Sequence, residues 1–148
     1  MKMTGWSVCL LVVLSACQPA SRAGKTPHGV WEGAQPAYPM RDAMGAPRLV
    51  NGQPVRIAGS LYTFEVGEDG WVACTQVHDD GRRFQLTGQW AGELDSAGRW
   101  VVRTALDDGY TDGLKPFTLV LGAGDGTGMC HPPLPEPAFE VKRRPAAD

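Results

Sequence analysis

The chain has 148 residues, with 14 basic against 16 acidic side chains and 43% apolar residues, room for one domain with a modest core. A net charge of −2 lacks the basic excess by which nucleic acid is held, so no nucleic-acid partner is expected. The sequence contains no Gly-x-Ser-x-Gly and no His-Glu-x-x-His, which sets aside two common hydrolase signatures, and the expectation is a protein without catalytic residues, cofactor or metal.

Met1-Lys2-Met3-Thr4 gives a short basic start, and Trp6 to Leu14 is almost unbroken apolar sequence. That core is shorter than the roughly 20 residues a membrane-spanning helix needs and suits the hydrophobic region of a secretory signal peptide. It closes on Leu14-Ser15-Ala16-Cys17. In this stretch the chain resembles bacterial lipoproteins, whose signal peptides end in a small-residue motif before the cysteine that is lipidated. The resemblance implies a signal peptide over residues 1–16 and a lipid on Cys17. Gln18 in place of Asp then implies sorting to the outer membrane, with the protein on its periplasmic face. Several acyl chains hold such an anchor because each buried methylene contributes about 0.8 kcal/mol. The alternative is an ordinary secretory signal cut later, for instance after Ser21-Arg22-Ala23. Removing residues 1–16 takes Lys2 away and leaves 13 basic against 16 acidic side chains. Residues 17–27 then read as the lipidated cysteine and a small, polar, flexible tether.

Of the four cysteines, Cys9 would leave with the signal and Cys17 would take the lipid. Cys74 and Cys130 remain, and a pair in an oxidising compartment reads as a disulfide, worth roughly 4 kcal/mol for a loop of that length.

Proline placement divides the rest. None of the twelve prolines lies between Val55 and Lys115, while Pro27, Pro36, Pro39, Pro47 and Pro54 precede that stretch and Pro132, Pro133, Pro135, Pro137 and Pro145 follow it. Proline removes a ladder donor, so the proline-free middle is where a sheet can form. A β domain is expected over residues 28–140 and a disordered tail over residues 141–148, with Lys142-Arg143-Arg144 as a solvated cluster. At its start, Gly29-Val30-Trp31 is similar to the first-strand signature of lipocalin-like barrels, where the tryptophan plugs one end. The alternative is an aromatic on an early strand packed over the core.

Residues 35–45 show no period and read as a loop. Arg48-Leu49-Val50, Asn51-Gly52 and Val55-Arg56-Ile57 read as a hairpin that Pro54 confines to an edge. Strands are expected over Leu61 to Val66, Trp71 to Val77, Arg83 to Trp90, Arg99 to Leu106 and Phe117 to Leu121. Gly59, Gly70, Gly81 and Gly92 recur every 11 residues, the strand-plus-turn spacing of an all-β sandwich or barrel. Asp69-Gly70, Asp80-Gly81, Asp108-Gly109, Asp112-Gly113 and Asp125-Gly126 supply tight turns. The fold class is therefore all-β, a small antiparallel up-and-down meander closing into a barrel or sandwich. Its core parity carries Tyr62, Phe64, Val66, Trp71, Ala73, Val77, Phe84, Leu86, Trp90, Trp100, Val102, Leu106, Phe117, Leu119 and Leu121.

Asp108-Gly109-Tyr110-Thr111-Asp112, then Pro116-Phe117-Thr118-Leu119, then Gly128-Met129-Cys130 look like the C-terminal pattern of a family of small periplasmic β lipoproteins. That pattern runs Cys-x-Asp-Gly-Met-Ser-Asp, a Tyr-Pro strand and a Gly-Cys. Leu106 stands where the family has its first cysteine, so Cys74 would have to partner Cys130. The family carries no established activity, and the resemblance implies a fold alone.

Candidate chemistry is sparse. His78-Asp79-Asp80-Gly81 sets an imidazole beside two carboxylates, a combination for a metal or a general base but also for a hairpin turn. Met129-Cys130-His131, with Met40 and Met44, offers soft ligands for copper, provided Cys130 is not oxidised. Gly122 to Gly128 is glycine-rich without the Lys-Ser/Thr ending of a phosphate loop, and reads as a hairpin loop. The expected function is a lipid-anchored, non-catalytic binding or inhibitor module for an envelope protein or small ligand. The alternative is a structural or assembly factor of the outer membrane. A deep apolar cavity would favour the first, and a filled core with an exposed aromatic patch the second.

Overall fold

The structure is a computed structural model that describes residues 26–110, 113–122 and 124–146. Cys17 and the signal region lie outside the described residues. The strands, in chain order, are β1 (Gly29–Gln35), β2 (Tyr38–Pro39), β3 (Leu49–Val50), β4 (Gln53–Pro54), β5 (Arg56–Ile57), β6 (Ser60–Val66), β7 (Trp71–His78), β8 (Arg83–Leu94), β9 (Trp100–Leu106), β10 (Lys115–Leu121), β11 (Thr127–His131) and β12 (Phe139–Arg143). Among the described residues, eight of them close into an antiparallel barrel in the order β1-β12-β11-β10-β9-β8-β7-β6. The meander is local throughout except where β1 zips against β12, Trp31 opposite Arg143.

The five central strands fall where the alternation places them, because tight turns fix their ends. Gly70, Gly81 and Gly126 take φ of 85°, 88° and 67°, a region open to glycine and costly for other residues. The barrel interior is filled by Phe64, Leu86, Val102, Leu119, Leu121 and Val141, all at most 1% exposed. Apolar side chains point inward and charged ones outward, the reverse of a membrane-spanning barrel. Among the described residues no helix is long and apolar enough to cross a membrane.

Three expectations about the barrel are corrected. First, Trp71, Ala73 and Val77 do not face the core; Val72 and Cys74 do. The turn decides this: Gly67 N–H donates to the Trp71 carbonyl across a three-residue loop, so Val66 pairs with Val72 and both point inward. Second, Cys74 and Cys130 are free, buried thiols, not a disulfide. They lie on β7 and β11, four strands apart in either direction around the barrel. Facing walls stand about 10 Å apart, beyond the 4.4–6.8 Å or so between Cα atoms that a disulfide spans. Third, the expected tail from residue 141 begins inside a barrel strand, since β12 carries Phe139 and Val141 into the core. Its alternation, Phe139-Glu140-Val141-Lys142-Arg143, is that of a strand with one wet face.

The segment between β1 and β6 leaves the barrel as an arm. At its base β2 pairs with β5, and beyond that β3 pairs with β4 around Asn51-Gly52, with φ of 51° and 76°. The expected pairing of Leu49-Val50 with Val55-Arg56-Ile57 is thus corrected: Leu49-Val50 pairs with Gln53-Pro54, while Arg56-Ile57 returns to Tyr38-Pro39.

Candidate functional site

The two poles of the barrel differ. At one pole the chain enters at Thr26, and the end is closed by stacked groups. The buried Trp31 donates its indole N–H to the Pro27 carbonyl at 2.9 Å, and the Arg143 guanidinium lies 4.8 Å above its ring. Arg143 also donates to the Thr26 carbonyl, and Arg144 pairs with Glu32, whose carboxyl is held below its usual range first by the hydrogen bond from that guanidinium. Trp90 donates to the Gly67 carbonyl at 2.9 Å and meets His28 edge-on at 5.7 Å.

The opposite pole is open. A cavity of about 190 Å³ lies in its mouth, lined by Gln35, Tyr38, Ile57, Tyr62, Gln76, His78, Phe84, Lys115, Phe117 and Glu136. Its wall residues are the mouthward continuation of the core parity: Gln35 follows Trp31 and Gly33 on β1, Tyr62 precedes Phe64 on β6, and Gln76 and His78 follow Val72 and Cys74 on β7. Deeper along each strand the inward residues are apolar. At the mouth they become polar and hydrogen-bond to one another.

These polar groups form two clusters. On one side His78 Nδ1 lies 3.3 Å from the Ser60 hydroxyl, which also accepts the Gln76 amide N–H at 3.2 Å, and the His78 ring meets Phe84 edge-on at 5.3 Å. On the other, the Gln35 amide N–H donates to the Glu136 carboxylate at 3.2 Å. The Glu136 charge reaches both phenols of the cavity. Burial first and that carboxylate second push Tyr38 up to about 12, and the same two causes in the same order push Tyr62 up. Lys115 caps the mouth with its ammonium 3.1 Å from the buried Asp108 carboxylate.

The motifs singled out in the sequence are placed apart from this site or only touch it. In His78-Asp79-Asp80-Gly81 the imidazole turns inward, while Asp80 closes the turn by accepting the Arg82 backbone and side-chain N–H groups at 3.0 and 2.7 Å. Those bonds hold the Asp80 carboxyl below its ordinary range, the backbone N–H contributing most. In Met129-Cys130-His131 the thiol faces the core and its neighbours face out, so the three do not converge. Among the described residues no group of three or more His, Cys, Asp or Glu side chains is arranged to hold a metal ion. Cys74 is a core thiol that burial pushes up to about 12, and burial raises Cys130 as well, with the Cys74 and Glu136 charges adding.

Sequence reasoning missed Gln35, Gln76, Lys115 and Glu136. The available signal is polarity on the core parity at strand ends, as in Gln76 and His78, masked by the more apolar opposite parity of β7.

Around the mouth the loops carry exposed apolar side chains. Met44, Leu49 and Val50 stand on the arm, Tyr110 and Leu114 on the β9–β10 connection, and Leu134 on the β11–β12 connection; Met44 is 92% and Leu134 93% exposed. Comparison of the chain with protein-family models, with curated protein sequences and with solved structures found no match.

Proposed function

We propose that this protein is a lipid-anchored, non-catalytic binding module of the bacterial envelope, tethered through Cys17 and engaging its partner with the open pole of the barrel. The observation that carries this reading is the polarity of the fold: the chain enters at the plugged pole, while a polar-lined cleft and, among the described residues, six of the ten large exposed apolar side chains lie at the other. A tether attached upstream of Thr26 then directs the mouth away from the membrane. Large apolar side chains left in water on three neighbouring loops are the mark of an interaction surface.

The filled interior leaves no room for a carried lipophile, so the partner is met at the mouth and not swallowed. Non-catalytic action is consistent with the Ser60–His78 contact, in which the hydroxyl already accepts from Gln76 and the serine as a residue is buried; a nucleophile has to be reachable. The filled core together with exposed apolar loops is the arrangement expected of the alternative, an assembly factor of the outer membrane, which would contact several partners through the same loops; the polar cleft at the mouth is what favours the binding module.

The test uses the full chain in its own envelope, with a photo-crosslinking residue at Val50 or Leu134 on the mouth and, in parallel, at Lys142 near the plugged pole. A single protein adduct from the mouth positions supports the module, and several adducts support the assembly factor. Adducts only from the plugged pole would sink both. Cys17→Ser should release the protein from membranes; membrane partitioning of that variant would end the lipid-anchor reading.

A further inference from the structure

We propose that the mouth cleft is a subsite for one organic cation, an ammonium or guanidinium group on a short apolar stem. This inference rests on the mouth being the binding end and names the chemistry it accepts. The first argument is charge. Lys115, which also lines the cleft, is paired with Asp108 at 3.1 Å, whereas among the described residues the Glu136 carboxylate makes no salt bridge and accepts from the Gln35 amide, a neutral donor, at 3.2 Å. A carboxylate whose hydrogen-bond partner is an amide keeps its negative charge for an incoming donor.

The second argument is the wall. Tyr38 and Phe84 are half-buried and turn toward the cavity, with Tyr62 and Phe117 beneath them. Tyr62 is itself locked by rings on three sides, stacked on Phe139 at 5.0 Å and on Phe64 at 5.8 Å and edge-on to Phe117 at 6.1 Å. Aromatic faces attract cations through their quadrupole, more strongly where water is excluded. Glu136 lines the same cavity as Tyr38 and Tyr62, so the carboxylate and the rings face one space. An anion would meet that carboxylate and a neutral apolar group would strand it, so the cleft discriminates by charge.

The third argument is size. A volume of about 190 Å³ is below the roughly 300–1,000 Å³ of sites for drug-sized ligands, and is that of a few water molecules at about 30 Å³ each. It admits the distal part of a lysine or arginine side chain, or a small free amine. Both sources share one chemistry.

The experiment is a titration of the isotopically labelled full chain in detergent, followed by backbone and side-chain amide shifts at Gln35, Gln76 and Glu136. The probes are n-butylammonium, Nα-acetyl-lysine methylamide, Nα-acetyl-arginine methylamide, and as controls Nα-acetyl-norleucine methylamide and butyrate. Saturable shifts confined to the mouth are expected for the three cations, about ten-fold weaker for the neutral isostere, and absent for butyrate. Glu136→Gln should keep the folded spectrum and weaken the cations about ten-fold; Phe84→Leu, which leaves the carboxylate in place, should weaken them by a smaller factor. Tighter binding of the capped amino acids than of butylammonium identifies a protein side chain as the source, and equal binding a free amine. Equal binding of norleucine and lysine derivatives, preference for butyrate, or cation shifts unchanged in Glu136→Gln would overturn the inference. A protein cross-linked from Val50 while no cation binds would refute this subsite and leave the binding-module reading standing; cation binding without any mouth adduct would do the opposite.

Discussion

The plugged pole and the open pole are made from the same strands and obey the same inward parity, yet they end differently. At the plugged pole the inward series terminates in Trp31, Val66, Val72 and Leu121, which fill the bore. At the open pole it terminates in Gln35, Ser60, Gln76 and His78, which cannot fill it without losing hydrogen bonds to water. One barrel thus divides its labour along its axis, with apolar cohesion at one end and a hydrogen-bonded polar cluster at the other. Substitutions at the two poles should therefore differ in kind, stability on one side and recognition on the other.

The largest expected effect lies at the plugged pole. Trp31→Ala should destabilise the fold by roughly 3–5 kcal/mol, because it deletes a fully buried indole together with the seat of Arg143. Chemical denaturation at fixed protein concentration measures it. A loss under about 1 kcal/mol would mean that this pole is not where the cohesion lies.

The two thiols give a pH test of the filled interior. Thiols in an unfolded chain ionise near pH 8.5, whereas burial pushes Cys74 up to about 12 and raises Cys130 too. The folded state therefore holds these protons more tightly. Their contribution is fully present below about pH 8.5 and is lost as pH rises toward the folded values, by about 1.4 kcal/mol per pH unit and thiol. Denaturation midpoints should fall between about pH 8.5 and pH 10, and the Cys74→Ala, Cys130→Ala double variant should fall less. Alkylation of the native protein should be slow and track unfolding; a protein resistant to alkylation even when denatured without reductant would carry the disulfide after all.

Next comes the wall between the poles. A Cβ built on Gly33 would stand 2.2 Å from the Glu140 carbonyl of the neighbouring strand, so Gly33→Ala should cost about 1–3 kcal/mol through forced separation of β1 and β12. Last, Trp71→Ala should cost under about 1 kcal/mol, since that indole is half exposed, and Leu49→Ala on the arm under about 0.5 kcal/mol. Mouth cross-linking should weaken in the second variant and not in the first. A Trp71→Ala loss as large as that of Trp31→Ala would restore the original parity of β7.

The central strands were legible because their alternation and their Asp-Gly turns agree. The face of β7 was not: in Trp71-Val72-Ala73-Cys74-Thr75-Gln76-Val77-His78 the outward parity is the more apolar, and a three-residue turn overrules it. β12 alternates plainly but follows four prolines and runs into the basic cluster Lys142-Arg143-Arg144, features that also mark a solvated tail. The cleft was illegible for a different reason. It is assembled from the ends of several strands and two loops, and proximity among Gln35, His78, Lys115 and Glu136 exists only after the barrel closes.

That closure also sets an order of events in folding. Most of the ladder forms between neighbours in the chain, hairpin by hairpin, but the seam joins Glu32 to Arg144 across 112 residues. Contacts so distant in sequence form late, since the entropy of closing the loop is lost before the contacts repay it. Until β12 arrives, β1 and β11 each present an unpaired edge, the template for joining another chain. The short β12 is thus the latch of the molecule, and the interval before it engages is when the nascent protein is most exposed to aggregation and to proteases.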